Sequence, residues 1–136
     1  MSSLAIRLAV GLSALGLAAL LVTARVLEPA AGGLGTHQQL GLPPCSMRVL
    51  LGVRCPACGM TTSWSWLTRG DLMASAEASL SGTLLGLYAL VVVVLGLRWA
   101  GSGRSPRFRV NWWLGFGVVS IGVVCAMEWL VRLKLG

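Results

Sequence analysis

Three cysteines and a histidine carry whatever chemistry this chain has, in the order His37-x7-Cys45-x9-Cys55-x2-Cys58. Soft thiolates and a neutral imidazole suit the four tetrahedral positions of a structural zinc site, and Cys45, Cys55, Cys58 and His37 form such a Cys3His set. The two-residue gap lets Cys55 and Cys58 grip one ion from a tight turn. Zinc motifs usually pair two such knuckles, and here there is one. A redox use is the rival. Cys58-Gly59 opens a helix, whose amino end favours the thiolate, Arg54 beside Cys55 acts in the same direction, and Cys45 is placed to resolve a mixed disulfide. The strand–helix–strand pattern of a thioredoxin fold is missing. A third reading leaves the cysteines only packing or stapling their loop, and all three stay open. The fourth cysteine, Cys125, reads as a small buried hydrophobe. Thr61, Thr62 and Ser63 are expected to bond the free backbone groups of their own turn. With no Ser-His-Asp set, phosphate-binding glycine loop or carboxylate pair, the expectation is a non-enzymatic protein.

The elements around this cluster are greasy. Of the 136 residues, 56% are hydrophobic and 11% charged, where a soluble domain carries about 25% charged residues. A small chain has too little interior to bury so much apolar surface, so lipid is its solvent. Leu8 to Ala24, flanked by Arg7 and Arg25, makes a span over about residues 5–24. That run also has the layout of a signal peptide with Val22-Thr23-Ala24 at its cleavage site, but it is longer than the usual apolar region. Further spans are expected over about residues 80–99 and 112–131. Between the first two lies a cysteine-bearing loop with an interfacial helix, residues 29–70. Its glycines at 32, 33, 35 and 41 argue against regular structure before Cys45. Gly59 to Thr68 reads as the interfacial helix, with Trp64 and Trp66 at headgroup level, and Asp71 caps the next helix. All six tryptophans fall at span edges or in the interfacial helix. The fold class is therefore all-α: one integral membrane domain of three transmembrane helices plus a short helix after the Cys-x-x-Cys turn.

The charge of +7 does not indicate nucleic acid, because the arginines flank apolar runs and no basic face with interleaved aromatics exists. The loop carrying Arg98, Arg104, Arg107 and Arg109 favours an outward-facing cysteine loop. The third span then returns Cys125 and Glu128 to the cysteine side, with Glu128 and Arg132 spaced to pair on one helix face. Gly82 and Gly86, and Gly122 and Ala126, sit four apart, so small-residue faces could bring spans together or bind a second copy or a membrane partner.

The run Pro44-Cys45 … Gly52 … Cys55-Pro56-Ala57-Cys58-Gly59-Met60-Thr61, followed by Gly70-Asp71, resembles a bacterial family of small membrane proteins called domain of unknown function twenty-seven fifty-two. Its core reads C-P-x-C-G-x-T-R with another cysteine upstream. The resemblance covers Gly35 to about Leu90, and Gly35 to Cys45 looks like the lead-in of one branch. It implies a multi-pass helical protein of the bacterial inner membrane with a cysteine-bearing loop, and no reaction. Thr62 stands where many relatives carry arginine. Ser79-Leu80 stands where relatives often show Asn-Pro, which puts a kink before the second span in doubt.

Overall fold

The computed structural model describes residues 3–30, 32–102 and 108–135. Among them the order is α1 (Ser3–Val26), a 3-10 helix (Thr36–Leu40), α2 (Ser46–Leu51), α3 (Met60–Thr68), α4 (Leu72–Ala78), α5 (Leu80–Ser102) and α6 (Phe108–Leu135). No strand occurs among the described residues. Helices α1, α5 and α6 each hold 23 residues long and apolar enough to cross a membrane. That is about 35 Å of helix, against a hydrocarbon core of about 30 Å. The arginine-rich turn at Arg104 and Arg107 lies outside the described residues, and Arg109 falls in the first turn of α6.

Helices α1 and α5 run antiparallel. A Cβ on Gly11 would lie 3.2 Å from the Ala100 Cβ, and one on Gly96 would lie 3.0 Å from the Ala14 Cβ. Small residues let the backbones approach where no hydrophobic force drives helices together. Arg7 ties the ends by donating to the Ala100 carbonyl at 2.8 Å.

The helix expected after the cysteines forms as α3. It packs against α1, α4 and α5, and its buried residues are Thr62, Ser63, Ser65 and Leu67. The three hydroxyls bond outward to other elements rather than to their own turn. Ser63 Oγ, Ser75 Oγ and Thr83 Oγ1 meet at 2.8–3.0 Å and join α3, α4 and α5. Ser65 donates to the Leu27 carbonyl at 2.7 Å beyond the end of α1. Trp64 is half-buried, with its indole N–H on the Gly82 carbonyl at 2.9 Å. Gly82 and Gly86 lie directly under Ser63, Trp64 and Leu67. The small-residue pair thus serves contact with α3. Gly122 has open space around it, so it makes no such contact among the described residues.

The chain breaks between α4 and α5 even without a proline. Ser79 is extended, at φ −165 and ψ 117. Its hydroxyl accepts from the Gly82 N–H at 3.1 Å, an N-cap for α5. The Glu128 carboxylate of α6 accepts from the Leu80 and Ser81 N–H groups at 3.2 and 2.9 Å. These bonds satisfy free donors at the start of α5 and place negative charge at the positive end of its dipole. Ser79-Leu80 therefore supplies a break without Asn-Pro.

Candidate metal centre

The sequence places Cys45 immediately before α2, and Cys55 and Cys58 in the turn that leads to α3. Asp71 N-caps α4 through the Ala74 N–H at 3.0 Å, so α3 ends in a compact corner. Gly59 is the hinge of the cysteine turn. Its φ is +93, and a Cβ there would sit 2.7 Å from the Ala78 carbonyl oxygen. Only glycine lets the backbone turn left-handed and lie against the break between α4 and α5.

The sulfur atoms of Cys45, Cys55 and Cys58 lie within 4.8 Å of one another. The Cys55 and Cys58 sulfurs are 3.2 Å apart, and all four cysteines are free thiols. A tetrahedral zinc with bonds of about 2.3 Å places its sulfurs about 3.8 Å apart, so sub-ångström shifts bring this trio onto one ion. The trio faces a cavity of about 250 Å³. His37, Gln38, Arg48 and Thr61 also line it. The structure brings together the three sequence-singled cysteines and puts His37 on the wall of the same cavity, outside the sulfur trio. The His37 segment is a short helix, against expectation. It is pinned by the Thr36 and Thr62 hydroxyls at 2.8 Å and by Gln39, which receives the Glu28 N–H at 3.1 Å. Thr62, in the arginine position of the motif, is spent on that hydroxyl pair.

The electrostatics differ from the sequence expectation. The lowered thiol is Cys45: the Arg48 backbone N–H, then the Cys55 thiol, bring it down to about 7. Cys55 is pushed up to about 12, first by burial and then by the neighbouring Cys58 and Cys45 thiols. Arg54 plays no part in this, being exposed. Cys45 is thus the thiol readiest to ionise, whereas Cys55 must give up its proton for a divalent cation to bind, the proton release that thiolate metal binding entails.

Helix α6 holds the turn from behind. Trp129 donates its indole N–H to the Arg54 carbonyl at 2.7 Å. The Cys125 thiol approaches the Pro56 carbonyl at 3.6 Å. Arg132 donates to the Cys58 carbonyl at 3.3 Å and the Ala78 carbonyl at 3.1 Å, and it pairs with Glu128. The expected Glu128–Arg132 pair is thus present, but it belongs to a larger clamp. Sequence reasoning missed Trp129 and Arg132 as partners of the cysteine turn. Their signal was the 125, 128, 129, 132 spacing, one face of a helix. Arg48 was missed too; it lies one turn beyond Cys45, and nothing else in the sequence marks it.

Fold and site together define a helical protein with three span-length helices and a three-cysteine centre between the first two. Residues 45–93 match the family model described as Protein of unknown function (DUF2752), the family that the cysteine motif resembles. The match takes in all three clustered cysteines, α2, α3, α4 and more than half of α5. No curated protein and no solved structure matches the chain.

Proposed function

We propose that this is a metal-binding protein of the bacterial inner membrane whose Cys45, Cys55 and Cys58 hold one thiophilic divalent ion, zinc above all, with His37 as the fourth donor. The observation that carries this reading is the convergence of three sulfurs to within 4.8 Å from two separate segments of chain. The turn that bears two of them is fixed by backbone bonds to α6, so the ligands are held ready rather than gathered by the ion. Thiolate and imidazole donors favour zinc over calcium or magnesium, which take oxygen. The outer face of α6 around Gly122 and Ala126 stays available to a second copy or another span. Elemental analysis of detergent-purified protein tests the reading. About one zinc per chain in the wild type, lost in Cys58→Ser, is expected; metal-free wild-type protein purified without chelator and refusing added zinc overturns it.

The 3.2 Å approach of the Cys55 and Cys58 sulfurs favours a second reading, a dithiol that reduces a partner disulfide. Two protons and two electrons would pass to the partner's sulfurs as the Cys55–Cys58 bond forms. A metal-free protein with a reversibly reducible Cys55–Cys58 bond is the result that reading requires.

A further inference from the structure

We propose that the fourth position of the metal centre is exchangeable and takes a small organic thiolate that also carries a carboxylate. This rests on the metal-binding reading above and names the ligand that site would receive.

Three observations point there. First, the three sulfurs converge without His37, which lines the same cavity outside the trio. An ion held by the trio therefore faces the cavity with one coordination position, which the imidazole can fill or yield. Second, the cavity is about 250 Å³, below the roughly 300–1,000 Å³ of pockets for drug-sized ligands. It suits a molecule of a few heavy atoms. Third, Arg48, Gln38 and Thr61 are among the residues that line it. Guanidinium forks pair with carboxylates.

The choice of thiolate follows from the ligands already there. Three thiolates on a divalent ion leave a net charge of −1, which makes the ion soft and a poor activator of water. A fourth sulfur fits that ion better than an oxygen does. It also adds negative charge, which the Arg48 side of the cavity offsets. On binding, one metal–sulfur bond forms, the thiol proton goes to solvent, and the His37 nitrogen or a water leaves with its lone pair. No electron is transferred.

The test uses the full chain in detergent micelles loaded with Co(II), whose sulfur-to-cobalt absorption reports the number of bound sulfurs. The added probes are mercaptopropionate, cysteamine and acetate. Mercaptopropionate is expected to raise the charge-transfer intensity by roughly a third, as three sulfurs become four, with cobalt staying on the protein after desalting. Cysteamine, which carries an amine for the carboxylate, should bind about tenfold more weakly because it meets Arg48 with like charge, and acetate should leave the band unchanged. Arg48→Ala should abolish the preference between the two thiols, and His37→Ala should tighten the binding of both. Absence of any charge-transfer band would overturn the metal-binding reading itself. A normal band that no thiol alters, or cobalt stripped from the protein by them, overturns this inference alone. So do equal affinities of the wild type for mercaptopropionate and cysteamine.

Discussion

Replacing Gly59 by alanine separates two costs that the cysteine turn imposes, and Gly70 supplies the control. Both glycines have positive φ, +93 and +89. An alanine in the left-handed region costs about 1–2 kcal/mol whatever surrounds it. At Gly70 nothing lies within 4 Å of an added Cβ, whereas at Gly59 the Cβ would meet the Ala78 carbonyl oxygen at 2.7 Å and that of Gly33 at 3.3 Å. Neither oxygen belongs to a flexible side chain, and Ala78 is tied to Arg132. The turn must therefore shift by about 0.5 Å, an overpacking cost of about 1–3 kcal/mol. Gly70→Ala should then lose about 1–2 kcal/mol and Gly59→Ala about 2–5 kcal/mol, the sum of both terms. Reversible unfolding in mixed micelles, followed by tryptophan fluorescence, reads both. Metal content reads the site, since a displaced Gly59 drags Cys58 with it: Gly59→Ala should lose zinc while Gly70→Ala keeps it. If the two variants prove equally stable, or if Gly59→Ala retains full zinc, the close packing of the cysteine turn against the break at Ser79 is refuted.

Other consequences concern the clamp, the hydroxyls and the thiols. Arg132→Gln removes charge-assisted bonds to two backbone carbonyls and should cost about 2–4 kcal/mol; Arg132→Lys should not restore it, because one ammonium cannot fork to both carbonyls and Glu128. Unfolding titrations of the three proteins check this, and full stability in Arg132→Gln would contradict the clamp. Ser75→Ala strips one member of the buried triad, leaving Ser63 and Thr83 short of a partner. It should cost about 1–2 kcal/mol, whereas Ser13→Ala, at an exposed hydroxyl bonded only back to the Ala9 carbonyl of its own helix at 2.8 Å, should be near neutral. In metal-free protein, a Cys45 thiol titrating at about 7 instead of 9.0 is about half thiolate at pH 7, against about 1% for an ordinary thiol. Cys45 should then alkylate at near-maximal rate from pH 8, while Cys55, pushed up to about 12, reacts slowly below pH 10. Peptide mass spectrometry after a timed iodoacetamide pulse resolves the two, and faster labelling of Cys55 would contradict the assignment.

The parts of the molecule governed by composition and local spacing could be read from the sequence. The apolar runs gave the three long helices because length and hydropathy alone decide whether a segment can cross a bilayer. Asp71 was legible as a cap because an N-cap bonds a donor three residues on. The convergence of Cys45 with Cys55 and Cys58 was suggested by proximity in the chain. What escaped was long-range. No local rule says that Ser63, Ser75 and Thr83 meet, since each hydroxyl could equally have bonded its own turn. The pull of α6 on the carbonyls of Arg54, Pro56 and Cys58 depends on how the third span is rotated about its axis. Ser79 kept the break without proline because a hydroxyl cap and the distant Glu128 together satisfy the first turn of α5. The different thiol that is lowered has the same origin: the neighbour in sequence, Arg54, is exposed, while the Arg48 backbone N–H of α2 serves Cys45.

X-ray absorption at the zinc edge of the loaded, detergent-purified protein tests the central claim most directly. Cys45, Cys55 and Cys58 with His37 predict three sulfurs at about 2.3 Å and one nitrogen or oxygen at about 2.0–2.1 Å, with one sulfur fewer in Cys45→Ser. A shell made only of oxygen and nitrogen scatterers, or one unchanged by that substitution, would contradict a metal centre built from these cysteines.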